Sequence, residues 1–190
     1  MKALKVSLSA ALALGIGCAS AFAADKYDGF LCCNMRSDGS WISDINYDEN
    51  GKYIIPVGTP LTVLGTGRNR IKIKIDGKDQ AIGNDYSRDL SLDEFAKRYV
   101  VAENPAAKIS GFPKNIQDAI AAARITKGMT REQVLMSVGY PVSSENHVLS
   151  DKTWRFWLTS FGEFHVRFDD SDHVADVTGD EDTRDKVFVH

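Results

Sequence analysis

The side chains best suited to chemistry in this sequence are two adjacent thiols, Cys32 and Cys33. Neighbouring cysteines can close on each other as a disulfide, serve as a redox pair, bridge to another molecule, or sit buried as small apolar groups. A nucleophilic role needs something that lowers a thiol pKa, and Arg36 is the only cation close by in sequence. The pair carries no CxxC spacing and no zinc pattern. Burial as small hydrophobes on a first strand is the simpler reading, with disulfide and free thiols both open.

The histidines offer a second chemistry. They are His147, His165, His173 and His190. His165 and His173 fall on neighbouring predicted strands, and Asp169 or Asp172 could supply a third metal ligand. Two exposed strand histidines explain the same residues without a metal. The run Asp169-Asp170-Ser171-Asp172 is not a calcium loop, because Val174 stands where the sixth-position glycine belongs and no Glu stands at the twelfth. There is no Gly-x-Ser-x-Gly elbow, no His-Glu-x-x-His, no P-loop and no dinucleotide fingerprint. The residues therefore offer no catalytic constellation and no cofactor motif.

The elements that would position these groups begin after an export signal. Lys2 and Lys5 form a positive start, Val6 to Gly17 an apolar stretch too short to span a bilayer, and Ala21-Phe22-Ala23 a small-x-small cleavage site. Cleavage after Ala23 releases the chain. A rival reading takes Leu14-Gly15-Ile16-Gly17-Cys18 as a lipobox, in which Cys18 is lipidated and anchors the protein to a membrane. Removing residues 1–23 takes away two lysines and no acids, so the formal charge moves from −3 to −5. That acidity argues against nucleic-acid binding, which calls for a basic face.

Residues 27–88 read as all-β. Ile71, Ile73 and Ile75 alternate with Lys72 and Lys74, which gives one apolar and one polar face. Asp76-Gly77 is a tight-hairpin dipeptide, and Gln80 to Gly83 returns as the partner strand. With Tyr53 to Val57 and Leu61 to Leu64, these short strands predict a small barrel. Ser91 and Glu94 form a capping box ahead of the apolar stripe Leu92, Phe95, Ala96, Tyr99 and Val100. Pro105, Gly111 and Pro113 mark residues 103–114 as a linker. A second stripe follows at Ile116, Ala119, Ile120 and Ala123, closed by Gly128. Thr130 and Gln133 cap a short helix that Gly139 closes and Pro141 stops. Three alternating strands then run through 153–158, 163–168 and 173–177.

These residues carry two resemblances. The stretch from Ile125 to Val134, with Gly128-Met129-Thr130 at its centre, resembles the SmpA/OmlA (BamE-like) family of outer-membrane lipoprotein domains. Gly139-Tyr140-Pro141, Trp154 on the first strand, Val166-x-Phe168 and Val174 match the same pattern, over about a third of the chain. The run Ile55-Pro56-Val57-Gly58-Thr59 and its meander resemble a bacterial SH3-like module. Together they imply an α+β protein. An SH3-like domain would occupy 24–102, a BamE-like α/α/β/β/β domain 115–180, and an acidic tail 181–190. The family implies a periplasmic or outer-membrane-associated binding role, with envelope proteins such as the β-barrel assembly machine as partners. The same scaffold also occurs in secreted enzyme-inhibitory proteins. The SH3-like half implies peptide or cell-wall polymer binding. Gly128, Met129, Thr130, Gly139, Pro141, Trp154 and Phe168 have structural reasons of their own, so Arg131, Tyr140 and Trp157 are the expected partner contacts. The chain departs from the family in its imperfect lipobox and in its extra domain.

Overall fold

In the computed structural model the described residues are 26–49 and 51–189. The leader, residues 1–23, and Cys18 lie outside them. The chain is α+β, with five helices among the described residues. The first half supplies β1 (Tyr27–Leu31), β2 (Met35–Ser37), β3 (Trp41–Ser43), β4 (Tyr53–Ile55), β5 (Pro60–Thr66), β6 (Arg70–Ile75) and β7 (Lys78–Gly83). Helix α1 (Leu92–Tyr99) and β8 (Val100–Val101) complete it. The second half holds α2 (Ala106–Ile109), α3 (Lys114–Ala121), β9 (Ile125–Thr126), α4 (Arg131–Val138), β10 (Thr153–Trp157), β11 (Glu163–Phe168) and β12 (Val174–Gly179). It ends with α5 (Glu181–Val187) and β13 (Phe188–Val189).

Strands β1 to β8 form one curled sheet in the order β4-β2-β3-β7-β6-β5-β1-β8. The β5–β6–β7 meander is antiparallel, while β3 joins β7 in parallel with Trp41 opposite Ala81. Ile71, Ile73 and Ile75 face inward and are buried, as their alternation requires. The hairpin between β6 and β7 turns on Asp76 and Gly77, both at positive φ. Helix α1 starts in the Ser91–Glu94 capping box and lays Phe95, Ala96 and Tyr99 onto the sheet interior. At Gly83 a methyl group would run into the Trp41 ring, so the β3–β7 pairing needs glycine there.

Strands β10, β11 and β12 form a three-stranded antiparallel sheet. Trp154, Phe156, Phe164, Val166, Phe168 and Val177 point to the side covered by α3 and α4. The Thr130–Gln133 capping box starts α4, and Gly139 closes it at φ 86°. Gly128 does not close α3. That helix ends in a Schellman turn with Ala123 in the left-handed position, Arg124 N–H bonded to Ala119 and Ala123 N–H to Ile120. Gly128 instead pairs with Val174, which carries the Gly128-Met129-Thr130 turn onto the start of β12.

Two other expectations change. Residues 103–114 hold helix α2, and Ile109 and Phe112 pack against the second core. Residues 181–190 were expected as a solvated acidic tail. Residues 181–189 form α5 and β13, because Asp180 caps the helix, Val187 and Phe188 reach the core, and β13 pairs in parallel with β9. No helix among the described residues is long and apolar enough to cross a membrane.

Candidate functional site

Two asparagines in the first half fasten the sheet to the second half. Asn34 is buried. Its side-chain N–H2 donates to the Ile120 carbonyl at 2.6 Å and the Ser137 carbonyl at 3.1 Å. Its side-chain oxygen accepts the Val57 N–H. Asn46, at φ 59°, accepts the Arg36 N–H and donates to Val138. A cavity of about 250 Å³ opens on the same seam, lined by Cys32, Val101, Glu103, Glu132, Met136 and Tyr140.

Tyr140 stands edge-on to Tyr99, with ring centres 5.7 Å apart, and the Arg98 guanidinium lies over its ring. Burial raises the Tyr140 pKa, with Arg98 opposing that shift. Glu132 on the rim holds Lys108 at 2.7 Å. Cys32 and Cys33 are bonded to each other and both are buried against the first core. The thiolate route to catalysis therefore has no free thiol in this state, and the pair is both a disulfide and part of the packing.

Arg131 is held internally. It sits at the first turn of α4, where its guanidinium donates to the carbonyls of Leu149, Ser150 and Asp151. The same group lies 4.2 Å from the Phe168 ring centre and 5.2 Å from that of Trp154. Its hydrogen bond is the main reason the Asp172 pKa is lowered.

Trp157 is on the opposite sheet face from Trp154, as the strand alternation requires. Its indole N–H donates to Glu145 at 2.8 Å, and Arg155 covers the ring at 4.6 Å. Arg155 also pairs with Glu163 across the strands. The structure thus gives Arg131, Tyr140 and Trp157 three separate neighbourhoods. His165 lies opposite Thr178 on β12 and His173 bridges to Thr130, so the two histidines do not face one another. Among the described residues there is no cluster of metal-ligating side chains.

The surface residue that sequence reasoning missed is Phe161. It is 97% exposed at the tip of the β10–β11 hairpin. The only signal for it was an aromatic side chain directly before Gly162 in a turn. Close to the same turn, Tyr47 hydrogen-bonds Ser160 and meets Tyr86 edge-on, with ring centres 6.2 Å apart. Tyr86 is itself exposed. The Phe161 ring is the part of this surface that the chain itself leaves uncovered, and such a ring is buried when a partner packs against it. No protein-family model, no curated protein and no solved structure matches this chain.

Proposed function

We propose that this chain is a non-catalytic cell-envelope binding protein that supports outer-membrane assembly or envelope integrity. The observation that carries a binding role is the aromatic turn, with Phe161 fully in solvent and Tyr47 and Tyr86 nearby. What supports the SmpA/OmlA kinship is a two-helix, three-strand unit entered through Gly128-Met129-Thr130, with Trp154 and Phe168 packed edge to face inside it. The finer fold reading is a BamE-like second half and an SH3-like first half, the latter supported by the β5–β6–β7 meander in a curled sheet. On this reading residues 1–23 are an export signal that takes the protein to the periplasm, with lipidation at Cys18 giving an anchored form and cleavage after Ala23 a released one.

A second reading, an enzyme-inhibitor-like protein on the same scaffold, draws on the same hairpin. A protruding aromatic on a short turn is the shape of a side chain that enters a partner's cleft.

The test is crosslinking in intact cells, followed by affinity purification and mass spectrometry of the tagged protein and of its mature N-terminus. Co-purification of β-barrel assembly proteins above an unrelated periplasmic control supports the assembly role. Their absence, together with an unlipidated Ala24 N-terminus, rejects that role and leaves the inhibitor-like one.

A further inference from the structure

One edge of the large sheet is β8 and the other is β4, which among the described residues pairs only with β2. In that pair Arg36 lies opposite Ile54. The Arg36 N–H is already taken by the Asn46 side chain at 2.7 Å. The Arg36–Ile54 pair is therefore the non-hydrogen-bonded kind, and the Ile54 N–H and C=O point away from the sheet. Lys52 N–H turns back to Glu49, and Pro56 has no N–H, so the free edge is short and centred on Ile54. The Ile54 side chain is exposed, as is that of Tyr53.

Beyond this edge lies a groove of about 430 Å³ between β4, the end of α3 and α5. Its charged lining is Arg36, Lys52, Arg124 and Lys186 against Asp48 and Asp185. Arg36 is neutralised by Asp48 at 3.4 Å, and Lys52 by Glu49 at 3.1 Å. Arg124 and Lys186 have no carboxylate at ion-pairing distance among the described residues. Arg124 spends one nitrogen on the carbonyls of Asp185 and Phe188, while its Nε is buried with no hydrogen-bond partner. The Arg124 and Lys186 charges on the groove have no carboxylate partner among the described residues, and an incoming carboxylate would compensate them. Unpaired strand edges are templates for an added strand, and an exposed apolar side chain beside one favours such pairing.

We infer that the β4 edge and this groove receive an extended acidic segment of a partner protein. The segment exchanges main-chain hydrogen bonds with Ile54, lays an apolar side chain on Ile54, and sets its carboxylates toward Arg124 and Lys186. This deepens the binding role proposed above and rests on it in that the occupant is a protein. The lining of the groove includes neither Phe161 nor Tyr86.

The probe is a short synthetic peptide of alternating Glu and Val, fluorescein-labelled and titrated with the full chain by fluorescence anisotropy. A Lys–Val peptide of equal length is the control. The Glu–Val peptide is expected to bind and the Lys–Val peptide not. Lys186→Glu, at an exposed side chain, is expected to weaken binding about tenfold, which is about 1.4 kcal/mol. Ile54→Pro removes the outward N–H and the exposed isoleucine side chain, both used by the segment, at a position where a sheet accepts proline, and is expected to weaken binding at least as much. Circular dichroism confirms that each variant is folded. Failure of the Glu–Val peptide to bind, or equal binding by both variants, overturns the inference. Binding of phosphatidylglycerol vesicles instead, lost in Lys186→Glu, overturns it too and makes the groove a lipid-facing surface. A photocrosslinking residue at position 161 in cells separates the two proposals. Crosslinks there with no peptide binding at β4 reject only the edge site, and no crosslinks and no peptide binding reject both.

Discussion

Asn34 donates its side-chain amide to the carbonyl of Ile120, 86 positions along the chain, at 2.6 Å in a buried setting. The same side chain serves Ser137 and Val57. Asn34→Leu keeps the approximate volume and strands the Ser137 carbonyl and the Val57 N–H, while the Ile120 carbonyl keeps the Ala123 N–H. Each buried orphan costs about 1–3 kcal/mol, and partial relaxation brings the expected total to about 3 kcal/mol. For a chain of this size that lowers Tm by roughly 6–12 °C. Thermal unfolding followed by circular dichroism measures it. A shift under a degree would mean that Asn34 adds nothing to the apolar contacts and the Asn46 bond that also join the two halves.

Arg131 makes a different prediction from the one its position at the helix start suggested. Three carbonyls, one carboxylate and two aromatic faces share one guanidinium. Lysine has the charge without the planar fork, so Arg131→Lys should lose most of this set. The expected cost is about 2 kcal/mol, from hydrogen bonds to a charged donor. Asp172 contributes little of that, since it is well exposed and its pair is screened by water. Urea denaturation of Arg131→Lys and Asp172→Asn separates the two. A larger loss for Asp172→Asn would mean that the ion pair, not the carbonyl set, is what Arg131 supplies.

What was legible in the sequence was whatever a segment settles with its own neighbours. The Ser91–Glu94 and Thr130–Gln133 boxes close over three residues and form as expected. The Ile71–Ile73–Ile75 alternation and the Asp76-Gly77 turn are equally local. The roles of Asn34 and Asn46 were not legible, because their partners stand far away in sequence and an isolated asparagine gives no sign of them. Parallel pairing of β3 with β7 hid for the same reason. At the end of α3 the expected glycine was the wrong residue. Ala123 takes the left-handed position, and the local rule that favours glycine there lost to the packing of a buried methyl group. Phe161 escaped notice because a turn aromatic looks the same in sequence whether it folds inward or stands out.

Asp44 gives the protein a pH dependence with an unusual sign for a carboxylate. It is buried, which raises its pKa, while N–H groups of Ser87, Tyr86 and Asp85 pull it partly back. A folded-state pKa above the unfolded one means that the folded form holds the proton longer. Its contribution to stability is greatest below the ordinary Asp range and declines as pH rises through the folded pKa. The stability of the wild type minus that of Asp44→Asn should therefore fall as pH rises across the acid range. The carboxylates with lowered pKa, such as Asp169 and Asp180, act in the opposite sense and cancel in this difference. Urea unfolding at a series of acid pH values gives the curve. A difference that rises with pH would show that the three N–H donors outweigh burial.

Phe161 should separate binding from stability more cleanly than any other position. Its ring is in solvent, and the turn beneath it is built by Thr159, whose hydroxyl accepts the N–H groups of Phe161 and Gly162. Phe161→Ser keeps the turn and removes the ring. Substitutions at such surface positions change stability by no more than about 0.5 kcal/mol. A buried aromatic anchor at an interface is worth about 2 kcal/mol or more, so loss of the ring should weaken partner capture about thirtyfold. Quantitative crosslinking of the variant in cells, normalised to its abundance, reads this directly. Unchanged capture would move the partner surface away from the β10–β11 hairpin and leave the β4 edge as the contact to examine. A drop in abundance without a drop in normalised capture would show that the ring contributes to folding, through a contact that its exposure does not suggest.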